Sequence, residues 1–468
     1  MSRNFVKSMF KTSLLYVAGT VIARLVSFLL LPLYTKKIST ETYGIYDVVL
    51  TYASIIVPLV GVNCWQGMLR FTIEESDSDK RHKIVSQGWI MLLLSLCVLT
   101  TAYLIFSLFV NFSHKFLVYL FFVSQLLQYF YLYTSRGFYR NKVYVISGII
   151  SAFAVAISSI ICIYLFDLRL EALYISMIVS QLSQVIFIEL NIHILKDLKL
   201  ALFDKAKLIE IYKYCFPDAI SNVFNWLLGS ANRLIIVAYL GYAKNGVYAV
   251  ANKFIGILSV FMTAFVLAFQ ESIYRAEKEQ TAEIGSFVLK AFAKYGGFAV
   301  SVILLGTSII FPVFVAGKYQ EGYNLIPAFY AYFFISGFTW VLSSIVAATK
   351  KTQLCLYEKI ITGILNFILV LVLIKNLGLM SSPVALFSAE LVGIFVFKWL
   401  LHNKANCKVS LPVYQIVIDL GLILASSWLF LINNFWLNAL GILVLTALFF
   451  FINRDELKKV CSLISKRA

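Results

Sequence analysis

Three kinds of residue in this sequence could do chemistry, and each sits within long apolar runs. Arg24, Arg233 and Lys253 are cations, and Asp47, Glu390 and Asp419 are carboxylates. The amides come in pairs three residues apart: Asn63 with Gln66, Gln125 with Gln128, Gln181 with Gln184, and Asn222 with Asn225. An ionisable group at the centre of a membrane helix costs about 2.5–3.5 kcal/mol on insertion scales, so each such residue needs a reason to be there. Arg24 falls well inside its run, and Lys253 lies about ten residues into another, roughly 15 Å of helix rise from its start. Two such cations point to an anion site facing a wet central cavity. The competing reading is that each pairs with a buried carboxylate and staples helices together.

The other charges are graded by depth. Arg233 lies nearer the outer end of its run, where a long side chain can reach the interface. Glu390 is the deepest carboxylate and the candidate for a proton- or ion-responsive group. Asp47, near an outer end, is a second candidate for that role or a partner for Arg24, and Asp419 reads as facing a neighbouring helix. Amides three apart share a helix face, so Gln125 and Gln128, and again Gln181 and Gln184, look inward toward either a cavity or another helix. Pro58, with Gly61 three residues on, predicts a bend.

No phosphate-binding G-x-x-x-x-G-K-[ST] loop, no H-E-x-x-H and no G-x-S-x-G is present. The seven cysteines and four histidines are scattered, with no pairing that predicts a disulfide framework or a metal site. No metal and no cofactor are expected.

The elements that must position these residues are membrane helices. Of the 468 residues, 61% are hydrophobic and 13% charged, an excess that a water-soluble fold cannot hide. Apolar runs of spanning length recur at 12–33, 43–69, 85–110, 116–135, 143–166, 172–194, 210–239, 243–273, 295–316, 323–347, 357–374, 380–401, 412–431 and 435–452. The fold class is therefore an all-α polytopic membrane protein with fourteen transmembrane helices. The net charge of +17 forms no block or stripe, which argues against nucleic acid. With the N-terminus inside, thirty Lys and Arg fall on the cytoplasmic side, Lys359 among them, against seven outside. Both termini are thus expected in the cytoplasm, and the opening "MSRNFVKSMFK" reads as the flank of a retained first span.

The chain also repeats itself. "YGIYDVVLTYASI" (Tyr43 to Ile55) matches "NGVYAVANKFIGI" (Asn245 to Ile257), Gly44 opposite Gly246 at an offset of 202. "LRLEALYISMIVSQL" matches "LGLMSSPVALFSAEL" at an offset of 209, Gln181 opposite Glu390. Two matches in the same order predict a duplicated six-helix unit whose copies run in parallel, with a substrate site where the halves meet. The expected organisation is a six-helix lobe over 1–195, a cytoplasmic linker over 196–209, a second six-helix lobe over 210–402, and two added helices with a basic tail over 403–468. Each glycine is read as marking the short outer turn into a lobe's second helix.

The stretches "LPLYTKKISTETYGIYDVV", "NRLIIVAYLGYAKNGVYAVANKF" and "YTSRGFYRNKVYVISGIISAFAVAISSI" resemble the Wzx-type polysaccharide flippases of the multidrug/oligosaccharidyl-lipid/polysaccharide exporter superfamily. At Ser381, Ser382 and Pro383 the chain departs from a Gly-Ala-Ala pattern frequent in that family. The resemblance implies two lobes alternately open to either side of a bacterial cytoplasmic membrane. It further implies a monomer that flips a polyprenyl-diphosphate-linked oligosaccharide to the outer leaflet, alongside a glycan polymerase and glycosyltransferases of the same pathway. On that reading Arg24 and Lys253 engage the pyrophosphate by charge-assisted hydrogen bonds, with Arg233 at the outer rim. Asn222, Asn225, Gln125, Gln128 and Gln181 then contact sugar hydroxyls. Coupling to a proton or sodium gradient through Glu390 or Asp47 stays open. So do three alternatives: a peptidoglycan-precursor flippase, a multidrug/cation antiporter of the same superfamily and, in a different class, a membrane glycan polymerase.

Overall fold

Short polar residues cap the starts of several helices. The computed structural model describes residues 19, 21–110, 112, 114–197, 204–275, 278–349, 351 and 353–454. Helical residues 21–29 lead into α1 (Leu31–Lys37), then α2 (Thr40–Val60), α3 (Cys64–Glu74), α4 (Ser78–Phe109) and α5 (Lys115–Gly137). These are followed by α6 (Asn141–Ile160), α7 (Leu170–Ile192), α8 (Lys205–Gly229), α9 (Asn232–Leu240) and α10 (Tyr242–Arg275). The remainder comprises α11 (Lys278–Phe314), α12 (Ile326–Ala348), α13 (Gln353–Leu377), α14 (Ser381–Ala405), α15 (Val413–Ile432) and α16 (Phe435–Ile452). Ser39 Oγ accepts from Thr42 N at 3.1 Å to cap α2, and Asp77, Asp204 and Asn434 do the same for α4, α8 and α16.

The bend predicted at Pro58–Gly61 is a full break between α2 and α3. Val62 and Asn63 both take positive φ, at 47° and 48°, and Asn63 N donates to Pro58 O at 3.0 Å. A β-branched valine in that region is strained, so the surrounding packing must hold it there.

Ten runs among the described residues are long and apolar enough to cross a membrane, or eleven if α8 and α9, bent by 46°, count as one span. One of those runs, Gln353–Ala405, contains both α13 and α14. The all-α membrane architecture stands; the expected count of fourteen is not reached on these residues. The expected first span, 12–33, lies partly outside them, and the basic tail past Arg454 wholly so.

Polarity within the helices runs opposite to that of a soluble protein. Phe106, Leu108 and Phe109 of α4 and Trp436, Leu443 and Phe451 of α16 are exposed, while Asp47, Gln181, Gln184, Asn245, Glu390 and Asp419 are buried. Lipid tails solvate the former, and the latter must find partners inside.

Packing divides the chain into Met1–Gly246 and Val247–Ala468. In the first unit α6 and α7 form a hairpin, α7 packs on α5, and α3 packs between α4 and α5, with α8 against α2 and α3. In the second, α14 packs on α12 and α13, while α15 and α16 both pack on α11. Asp419 on α15 is buried and accepts from Gln415 Nε2 at 3.1 Å.

The repeated glycines do not form the turn, contrary to expectation. Gly44 is the fifth residue of α2 and Gly246 the fifth of α10, and both are helical. A Cβ on Gly44 would lie 1.8 Å from Tyr242 O, and one on Gly246 would lie 1.9 Å from Thr40 O. Each glycine thus receives the first residue of the other helix, backbone on backbone, a contact that only the smallest residue permits.

Candidate functional site

At this glycine crossing the first unit assembles a charged cluster. Asp47 lies one turn past Gly44 on α2, and Arg233 is the second residue of α9, just after the break that ends α8. Arg233 Nε lies 2.7 Å from Asp47 Oδ2, with the two side chains 16% and 12% exposed. Asn245 Nδ2 donates to Gly44 O at 3.1 Å and to Asp47 Oδ2 at 3.3 Å. Below it, Trp226 Nε1 donates to Thr51 O at 3.0 Å. Tyr34, Tyr43, Tyr46 and Tyr174 form a row of rings with centroids 6.1, 6.0 and 5.8 Å apart, and Tyr34 Oη meets Ser159 Oγ at 2.8 Å.

Arg233 is therefore paired with Asp47, which the sequence had weighed as a partner for Arg24. A neutral pair of this kind fixes α9 to α2, and it offers an anion less than a lone cation would. Arg24 sits on helical residues 21–29 with its side chain exposed. On α8, Asn222 is half-buried and Asn225 exposed.

The glutamine faces meet one another across α5 and α7. Gln128 Nε2 donates to Gln184 Oε1 at 2.5 Å, and Gln184 Nε2 donates to Ser147 Oγ at 3.1 Å, tying in α6. Ser124 Oγ donates to Gln181 Oε1 at 2.5 Å. Gln125 Nε2 lies 3.5 Å from Tyr129 Oη. Gln128, Gln181 and Gln184 are thus engaged in helix-to-helix bonds, the arrangement that amides in lipid require.

In the second unit Lys253 is half-buried on α10. Glu390 on α14 is buried and accepts from Thr339 Oγ1 of α12 at 2.5 Å. Beside it stand two residues that sequence reading did not select, Glu358 and Lys359 of α13, with Lys359 Nζ 3.8 Å from Glu390 Oε1. No group of three or more His, Cys, Asp or Glu among the described residues could hold a metal ion.

Residues 9–269 match the family described as "Polysaccharide biosynthesis protein", which is more than half of the chain. The chain belongs to this family. Its fold is also that of the superfamily named from sequence. The solved structure "Lipid II flippase MurJ, inward closed conformation" superposes with a TM-score of 0.73 at 13% identity, covering 96% of this chain and 100% of that one. An inward-facing multidrug resistance MATE family transporter of the MOP superfamily superposes with a TM-score of 0.61 at 12% identity, covering 81% and 94%. An outward-facing MATE family transporter of the same superfamily gives 0.57 at 14%, covering 88% and 96%. No curated protein matches the chain in sequence.

The chain thus belongs to the polysaccharide biosynthesis family and has the fold of these transporters, in agreement with the resemblance seen around the YGIY and NGVY copies. Glu358 and Lys359 escaped notice because they stand at the start of an apolar run, where Lys359 was counted among loop charges. In the structure Glu358 is fully buried and Lys359 is ion-paired. Their signal in the sequence was the Glu-Lys dipeptide at the head of a span, facing Glu390 and Gly393 of the next.

Proposed function

We propose that the protein moves a polyprenyl-diphosphate-linked oligosaccharide from the cytoplasmic to the outer leaflet by alternating access, in a bacterial cytoplasmic membrane with both termini inside. The observation that carries this is the family match over residues 9–269, which ties the chain to polysaccharide biosynthesis. The excess of Lys and Arg in alternate loops supports the orientation. Arg24 and Lys253 supply the cations for the pyrophosphate; both are set in apolar helices, and neither is fully buried. Arg233, held by Asp47, serves as a positioning residue for the outer end. Asn222, Asn225 and Gln125 are the amides left for sugar hydroxyls, whereas Gln128, Gln181 and Gln184 serve chiefly as staples.

The test is complementation of a deletion strain. Arg24→Ala and Lys253→Ala should each abolish surface glycan at normal protein abundance, with lipid-linked units retained on the inner leaflet. Normal glycan from both variants would sink the anion-site proposal. Single units accumulating on the outer leaflet would instead indicate a polymerase.

A second reading, a peptidoglycan-precursor flippase, is favoured by the superposition with a lipid II flippase along that protein's whole length. Lethality of the deletion, rather than loss of one surface polymer, would select it.

A further inference from the structure

An open groove of about 650 Å³ runs along the surface of the second unit between α13 and α14. Its walls are two ridges of side chains spaced i, i+4: Tyr357 and Ile361 on α13, Phe395 and Trp399 on α14, all four exposed. Half-buried Ile360 and Val396 form the floor. At one end stands Lys404, the only charged residue among the described residues that line the groove. Trp399 lies five residues before Lys404, about 7.5 Å of helix rise, and Val392 twelve before it, about 18 Å.

The groove therefore presents, in order, a cation, an aromatic pair and an apolar trough. A membrane leaflet has the same order, from headgroups through the interfacial level that Trp and Tyr favour to hydrocarbon. Half of a hydrocarbon core of about 30 Å is about 15 Å, so the trough accommodates one chain of one leaflet. A polyprenyl chain, much longer than a leaflet is deep, would overrun it.

The charge at the Lys404 end is not answered within the helix pair. α13 and α14 contain two carboxylates, Glu358 and Glu390, and both are buried. Glu358 lies 3.4 Å from Lys359, so its charge is spent there. Exposed Lys398 and Lys408 flank Lys404 in sequence, and Lys351 Nζ donates to the Lys404 carbonyl, which brings a fourth cation to this end. The Lys404 ammonium makes no hydrogen bond or ion pair among the described residues.

We propose that this groove holds one anionic glycerophospholipid, its phosphate against Lys404 and one acyl chain laid between the ridges of α13 and α14. On a smooth helix face lipid tails compete evenly with side chains, because both are equally apolar. A trough walled on two sides offers dispersion contacts along a whole chain, contacts that its lining forfeits when nothing fills it. The lysines then select the headgroup, each cation near the membrane surface favouring an anionic lipid about fivefold. A lipid held in this way belongs to the packing of the second unit rather than to its solvent. The site is independent of what the protein transports.

The experiment is native mass spectrometry of the purified full-length protein, stripped of lipid in detergent and titrated with phosphatidylglycerol or phosphatidylethanolamine. Wild type should take up one phosphatidylglycerol in preference to phosphatidylethanolamine. Lys404→Ala should weaken phosphatidylglycerol about fivefold and leave phosphatidylethanolamine unchanged. Lys375→Ala, in the last turn of α13 away from Lys404, should change neither. Ile361→Trp fills the trough and should lose both lipids, and it carries the test if Lys404→Ala does not fold. Equal uptake of the two lipids by wild type would overturn the proposal, as would unchanged binding in Lys404→Ala and Ile361→Trp. Displacement of phosphatidylglycerol by an equimolar polyprenyl diphosphate would also overturn it, and would assign the groove to that lipid instead.

Discussion

Replacing Gly44 by alanine tests the crossing that underlies the repeat. The new Cβ would lie 1.8 Å from Tyr242 O, short of an ordinary 3.4 Å contact by about 1.6 Å. The obstacle is backbone, which no rotamer change relieves, so the first turn of α10 must retreat from α2. Overpacking of this kind costs about 1–3 kcal/mol. The retreat also stretches the Asn245 bonds to Gly44 O and Asp47, now 3.1 and 3.3 Å, and buried polar contacts in membrane helices average about 0.6 kcal/mol each. Against this, alanine in a helix is favoured over glycine by about 0.5–1 kcal/mol. The balance is a destabilisation of about 1–3 kcal/mol, dominated by the steric clash. Apparent melting in detergent, followed by size-exclusion chromatography after heating, reads it as a scan-dependent fall of several degrees. Gly246→Ala should behave alike, and the double variant should lose less than the sum because both substitutions press on one contact. Gly256→Ala is the control: it lies on α10 with nothing within 4 Å, so it should be neutral or slightly stabilising. Equal melting of Gly44→Ala and Gly256→Ala would refute the reasoning.

Two further predictions concern the polar contacts of the first unit. Asp47→Ala strands Arg233 in a site where it is 16% exposed, and should destabilise by about 2–4 kcal/mol, at or below the range for fully buried pairs. Asp47→Ala with Arg233→Met should recover much of that melting temperature; failure to recover would mean the pair is not the contact that matters. Gln184→Ala removes the bonds to Gln128 and Ser147 and should lower stability by about 0.5–1.5 kcal/mol while leaving transport intact. Loss of transport at unchanged stability would reassign that face to the substrate.

Legibility followed distance along the chain. Apolar runs, caps and the Pro58 break are local matters: a run of about 20 apolar residues has to leave water, and a proline must release a carbonyl wherever it sits. Hence the all-α membrane class, the resemblance around YGIY and NGVY, and the glutamine faces could be read from residue types and spacing alone. The role of Gly44 could not, because its neighbour is Tyr242 and the reason for the glycine lies on another helix. Partner choice failed for the same reason. Sequence reading offered Arg24 to Asp47, and the position of α9 brought Arg233 to it instead. Glu358 and Lys359 looked like interface residues because depth was counted from the start of a run; packing against Gly393 and Glu390 buries Glu358 completely and pairs Lys359. Sequence by itself determined which segments enter the membrane and which charges enter with them. Tertiary structure decided which charges neutralise each other, since Coulomb energies depend on separations of a few ångströms that span order does not specify.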